Sequence, residues 1–270
     1  MDSITPAIDA PGELANLFDM HNKVVFMPGG YGGIGEAVAW ALALAGARVT
    51  VAGRSEAKAE RLANALVEHG LAADGIAVDV ESVASIRNAT GSVAERHGRI
   101  DVLVNCVGTQ LEEPLPDVTE AAFDEVYRVN LKAAMFLAQA VASHQVAAGN
   151  GGRQVHLLSV RSRLGLRDRG YSAYCSTKGG MVMLIRQHAM ELAREGITVN
   201  GVAPTFVHTE MIRHVMENPE FRSQLLERIP LGRIADPGDI VGPVMFFCSD
   251  ASGFVTGQIM YVDGGITASQ

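Results

Sequence analysis

Seven short runs rich in β-branched and other apolar residues recur along the chain: KVVFM (23–27), RVTVA (48–52), GIAVD (75–79), DVLVN (101–105), QVHLLS (154–159), ITVNGV (197–202) and QIMYV (258–262). Their apolar positions are continuous rather than alternating, which is the pattern of strands covered on both faces. Alanine-rich segments long enough for crossover helices lie between them. This alternation predicts a Rossmann-like, doubly wound α/β fold, a parallel sheet of about seven strands with helices on both faces. No linker of biased composition and no short-period repeat divides the chain. A single domain is therefore expected over 21–270, preceded by an N-terminal extension over 1–20.

Composition narrows the function. The 270 residues are 48% hydrophobic, enough for a substantial core, and carry a formal net charge of −8. Such a surface repels nucleic acid and anionic membranes, so a small molecule is the expected partner. The richest apolar stretch, AVAWALALAGARVTVAG, is broken by Gly46 and Arg48, and no membrane span is expected. The first twenty residues carry Asp2, Asp9 and Glu13 and no basic start, unlike a secretory signal. Cys106, Cys175 and Cys248 are odd in number and widely spaced, which suits a reducing cytoplasm rather than a disulfide framework or a zinc site. The eight histidines lack metal-ligand spacing; His208 and His214 read as surface or packing residues, and no metal is expected.

Sheets of this class bind ligands beyond the carboxyl ends of their strands, so the loops there carry the chemistry. Directly after the first run comes PGGYGGIGEAVAWALA. Gly29, Gly33 and Gly35 permit a tight turn and close approach of backbone to a pyrophosphate, whose charge a helix N-terminus favours. Gly29, Tyr31, Gly32, Gly33, Ile34 and Gly35 are accordingly the candidate phosphate site of a dinucleotide. At the second strand end stand Gly53 and Arg54, where an acidic residue usually meets an unphosphorylated ribose. A guanidinium there suits a 2′-phosphate, so NADP(H) is favoured and NAD(H) is possible. Asp79 and Val80, at the end of the third run, are placed to reach the adenine.

Tyr174 and Lys178 lie four residues apart in GYSAYCSTKGG, a helical stretch, and so project from one face. An ammonium beside a phenol lowers its pKa toward working pH and makes an acid/base device. The plainer reading is a solvated lysine one turn from a packed tyrosine.

With the glycine loop, this pair, NCVG (105–108) and VDGG (262–265), the chain resembles the short-chain dehydrogenase/reductase family from about Lys23 to Ile266. The resemblance implies reversible hydride transfer between a nicotinamide and a carbonyl or secondary alcohol, of sugar-acid, polyol or 3-oxoacyl type. It implies that Tyr174 gives and takes the proton, and that Lys178 both bonds the nicotinamide ribose and lowers the tyrosine's pKa. Ser159 should bond the substrate oxygen, with Ser162 a rival. Asn130 should support a water-linked proton path to the lysine; its other reading is a helix-interior residue satisfied by backbone. Asn105, Val107, Gly108, Pro204, Val207 and Thr209 fall on the cofactor side. Pro28, Cys106, Val107 and Thr205 depart from the family pattern, the first two removing a hydroxyl and an amide that brace the cofactor loop. The segment about 205–233 should cover the substrate, with Phe206, Met211, Ile212 and Met216 as an apolar lid or as packing, and Leu164 and Leu166 opposite. Arg161, Arg163, Arg167 and Arg169, with Asp168, form either a solvated charged loop or an anchor for an anionic substrate. Kinship further implies a homo-oligomer, tetramer or dimer. A non-catalytic NADP-sensing protein of the same fold is the alternative; its expected mark is a broken Tyr/Lys/Ser set, which here is whole.

Overall fold

The computed structural model describes residues 16–212 and 218–268. Residues 1–15 of the N-terminal extension, His214 and Met216, and the side chain of Met211, lie outside that description. The seven runs form one sheet in the order β3-β2-β1-β4-β5-β6-β7, with every neighbouring pair parallel. The strands are β1 (Val24–Pro28), β2 (Arg48–Gly53), β3 (Ala73–Ala77), β4 (Val102–Asn105), β5 (Gly152–Leu157), β6 (Ile197–Pro204) and β7 (Ile259–Val262).

β3 begins and ends two residues before the GIAVD reading. Ala73 and Asp74 pair with Val49 and Thr50 of β2, which an edge strand with small and polar residues allows. Beyond it Asp79 turns the chain, its carboxylate accepting from the Glu81 N–H at 3.0 Å and its own N–H donating to Ser85 Oγ at 3.0 Å.

The helices are α1 (Gly33–Leu44), α2 (Glu56–Glu68), α3 (Val83–His97), α4 (Glu120–Tyr127), α5 (Ala133–Ala148), α6 (Ser172–Leu192), α7 (Pro219–Glu227) and α8 (Pro237–Cys248). Strand pleating sorts the core into two layers. Val25 and Met27 point to one face, against α1, α2 and α8 through Leu42, Leu66 and Phe247. Val24 and Phe26 point to the other, against α3 and α5 through Ile86, Val93 and Leu137. α6 packs Met181 and Ile185 on Ile197 and Val199 of β6. Phe26 and Met27 are fully buried, each contributing about 2–3 kcal/mol of apolar transfer. Met20 is also fully buried, its N–H on the Ala45 carbonyl at 3.0 Å.

Side chains set the helix starts. Ser55, Ser82, Thr119 and Asn218 accept first-turn N–H groups of α2, α3, α4 and α7, and Asp236 with Asp239 closes a capping box on α8. α1 starts at Gly32 with no side-chain cap. Its first N–H groups are therefore left for something else. Between α4 and α5 the chain widens into one π turn, Arg128–Lys132. Because all seven strands are parallel, the loops after β1 to β6 gather at one edge of the sheet.

Candidate active site

Those loops line a crevice of about 470 Å³, within the range of ligand sites. Gly29, Gly32, Gly33, Ile34 and Gly35 form its floor at the start of α1. Gly29 has φ +77, and a Cβ there would stand 2.7 Å from the Cys106 carbonyl carbon. Only glycine lets the loop after β1 lie against the loop after β4. The bracing lost with Pro28 and Cys106 is supplied by backbone: Gly29 N–H to Ala52 O at 2.8 Å and Cys106 N–H to Pro28 O at 2.9 Å. Asn105 adds a third tie, its Oδ1 accepting the Val107 N–H at 3.0 Å. Its side chain is buried and does not line the crevice; its amide nitrogen faces His156 Nδ1 at 3.2 Å. Burial lowers His156 to about 3, with His188 and Lys178 adding to that, so the imidazole is neutral. Val107 and Gly108 reach the crevice wall.

Arg54 lines the same wall and is exposed. Beside it, Tyr31 lies over Gly53: a Cβ at 53 would fall 2.4 Å from the ring, whose hydroxyl accepts the Ser55 N–H at 3.2 Å. A phenol thus fills the place where an acidic side chain would meet an unphosphorylated ribose. Val78, Val80 and Glu81 continue the wall, whereas Asp79 is exposed and outside it, its carboxylate taken by the turn. An uncapped helix start, a loop too close for side chains and a guanidinium with no partner among the described residues fit a phosphorylated dinucleotide.

At the far end Ser159, Tyr174 and Lys178 converge on the crevice. Ser159 lies two residues beyond the end of β5, and its Oγ accepts the Arg161 N–H at 3.2 Å. Ser162 is turned away, its Oγ 3.3 Å from the Tyr261 hydroxyl. Lys178 is 3% exposed; its Nζ donates to the Leu157 carbonyl at 2.9 Å and lies 5.7 Å from the centroid of the Tyr174 ring. The pair shares one face of α6, as its spacing predicts, but the pKa runs against the sequence-based expectation. Burial pushes Tyr174 up to about 12, outweighing the lowering by Ser159. The same burial brings Lys178 down to about 8. Desolvation disfavours phenolate and ammonium alike.

Asn130, buried in the π turn, lies behind this cluster rather than on the crevice wall. Its Oδ1 accepts the Thr109 N–H at 2.8 Å, and its Nδ2 donates to Thr109 O at 2.9 Å and Thr177 Oγ1 at 3.2 Å. The amide is satisfied by another loop, not by its own helix, and fixes the segment after β4 onto α6.

Pro204, Val207 and Thr209 line the crevice after β6, where Thr205 buries a hydroxyl oxygen that has no partner among the described residues. Phe206 and Ile212 line it too, while packing with Leu164 and Phe221 around Leu225 and Ile229. Leu166 is half-buried and His208 exposed. Tyr171, which the sequence reading overlooked, also lines the crevice and meets Tyr174 edge-on at 6.1 Å. Its position three residues before Tyr174, about one helical turn, is the signal that would have found it. Among the described residues no helix is long and apolar enough to cross a membrane, and no three His, Cys, Asp or Glu side chains gather as a metal site.

Comparison with known proteins follows the same outline. The enoyl-(acyl carrier protein) reductase family profile matches residues 30–267. Gluconate 5-dehydrogenase of Gluconobacter oxydans is 33% identical over 254 residues, covering 94% of this chain and 98% of that protein. L-xylulose reductase of Bos taurus is 36% identical over 237 residues, covering 88% and 93%. A gluconate 5-dehydrogenase from Burkholderia cenocepacia, solved in complex with NADP and tartrate, superposes with a TM-score of 0.92 at 35% identity, covering 95% of this chain and all of that one. Similarity of this extent, carried from the glycine loop to the last strand, makes the chain a member of the short-chain dehydrogenase/reductase family.

Proposed function

We propose that this protein is an NADP(H)-dependent oxidoreductase that interconverts a carbonyl and a secondary alcohol of sugar-acid or polyol type. The observation that carries the reading is the convergence of Ser159, Tyr174 and, one turn along α6, buried Lys178 on the crevice that starts at the uncapped α1. A nicotinamide cofactor held there supplies or accepts the hydride. In reduction, a ketone, reduced cofactor and one proton give an alcohol and oxidised cofactor. Ser159 donates to the carbonyl oxygen and orients it. Tyr174, which burial keeps protonated through neutral pH, gives that oxygen its proton. Lys178, still charged below about pH 8, stabilises the phenolate left behind. Asn130 positions the Thr109 loop and Thr177 beside them. Arg54 holds the 2′-phosphate, and the neighbours solved with NADP support that choice.

Exposed Met183 and Met190 on α6, with Met135 and Val146 on α5, support burial against further copies, as a dimer or tetramer. Three free thiols suit a reducing cytoplasm. Residues 1–20 are assigned as an extension to the catalytic domain over 21–270, whose segment about 205–233 covers the substrate.

Tyr174→Phe keeps the ring and removes the proton. Turnover, followed by NADPH absorbance with a sugar ketone, should fall by at least about 1,000-fold, while NADPH binding by fluorescence stays within a few-fold. Near-normal turnover in the variant would sink the assignment; binding of NADPH without turnover of any carbonyl by the wild type would favour a sensor.

A further inference from the structure

Of the four arginines between Ser159 and Tyr174, three belong to the surface. Arg169 is ion-paired with Glu112 and lies over the Tyr171 and Phe221 rings at 5.4 and 5.0 Å. Arg163 lies over Tyr261 at 5.8 Å, and Arg167 is exposed. Arg161 is different. It is 5% exposed, it lines the crevice, and its backbone N–H donates to Ser159 Oγ at 3.2 Å. Its Nη1 donates to the Leu164 and Gly165 carbonyls at 3.3 and 2.6 Å. Nε and Nη2 have no acceptor among the described residues, and no carboxylate lies within ion-pair distance. The groups that bear most on its charge are Cys175, Tyr171 and Tyr174, all neutral at pH 7, and a second cation, Arg228.

A guanidinium does not shed its proton when buried, and a buried charge without a counter-ion is strongly disfavoured. Among the described residues nothing within reach supplies that counter-ion. The edge left over, Nε with Nη2, is the side-on pair of parallel donors that matches a planar carboxylate. We propose that Arg161 is the anchor for a carboxylate on the substrate, so that the compound oxidised or reduced is a hydroxy or oxo acid rather than a neutral sugar. This rests on the oxidoreductase reading above and names the substrate class of that site. It also separates the two readings of the arginine-rich loop: three residues are solvated charge or surface packing, and one is an anchor.

The test compares acids with the alcohols of the same carbon chain: D-gluconate with D-glucitol, tartrate with threitol, glycerate with glycerol. Each is titrated calorimetrically into the protein saturated with NADP⁺. At least one acid should bind about 10- to 100-fold more tightly than its alcohol, the range of a charge-assisted pair. Arg161→Gln should bring that ratio close to one, Arg161→Lys should restore part of it, and Arg167→Gln on the same loop should leave it unchanged. In the reducing direction, 5-keto-D-gluconate is compared with L-sorbose, the same chain with the carboxylate replaced by a primary alcohol. The ratio of their kcat/KM values should fall in Arg161→Gln by the same factor, mainly through KM. Parity of acid and alcohol in all three pairs overturns the proposal, as does a preference that survives Arg161→Gln or tighter binding of D-glucitol 6-phosphate than of gluconate. Binding is read without turnover, so the two readings fail separately. Acid preference without reduction of any carbonyl refutes the reaction; Tyr174-dependent reduction without acid preference refutes the anchor.

Discussion

Replacing Lys178 with methionine removes a positive charge from a place that burial makes unfavourable for it. The lysine is 3% exposed, so solvent screens little of the effect. Its pKa falls from 10.5 to about 8, and at 1.36 kcal/mol per unit this corresponds to about 3 kcal/mol of cost to the folded state. Against it stands the bond from Nζ to the Leu157 carbonyl at 2.9 Å, which contributes about 1 kcal/mol. The cofactor-free variant should therefore be more stable than wild type by about 2 kcal/mol at pH 7. The sign follows from proton counting. The unfolded lysine keeps its proton up to pH 10.5 while the folded one releases it near 8. Between these values the unfolded state binds more protons, so wild-type stability rises with pH relative to the variant. Below pH 8 the full cost is present, and the two curves should cross at about pH 10, leaving the variant less stable by about 1 kcal/mol above it. Urea unfolding of both proteins without cofactor, in steps from pH 6.5 to 10.5, gives the difference directly. A flat difference across that range would refute the reasoning, because it would mean that the fold leaves this ammonium as comfortable as water does.

Two further substitutions test the cofactor end. Arg54→Ala should reduce the preference for NADPH over NADH by about 10- to 100-fold, read by fluorescence titration of both cofactors, since one charge-assisted contact is lost; an unchanged ratio would place the 2′-phosphate elsewhere. Gly29→Ala combines a positive φ with a Cβ 2.7 Å from the Cys106 carbonyl carbon and should cost about 2–4 kcal/mol in urea unfolding. Wild-type stability in that variant would contradict the close approach of the two loops.

Much of this was legible in the sequence, for identifiable reasons. Five of the seven strands fall on their apolar runs to within a residue or two at either end, because a strand covered on both faces reads as a continuous apolar run. β3 and β5 each begin and end two residues before their apolar runs, because Ala73 and Asp74 on the one and Gly152 and Arg153 on the other pair without an apolar signature. The spacing of Tyr174 and Lys178 fixes their shared helix face, but their protonation depends on how deeply α6 lies against β5 and β6, which no spacing encodes. The same holds for Asn130, whose partners Thr109 and Thr177 are 21 and 47 residues away. Four arginines that look alike in RSRLGLRDR are told apart only by burial and partners, and those are set by Glu112, Tyr261 and Phe221 from distant parts of the chain.

The seating of Tyr31 over Gly53 constrains how this protein can change its cofactor by mutation. An aspartate at position 53 would place its Cβ 2.4 Å from the tyrosine ring, so the substitution that creates a ribose acceptor first collides with the residue occupying its space. A smaller residue at position 31 clears the ring but also removes the acceptor for the Ser55 N–H. The two positions are coupled: an acidic side chain at 53 requires the Tyr31 ring to move aside and give up its bond to the Ser55 N–H.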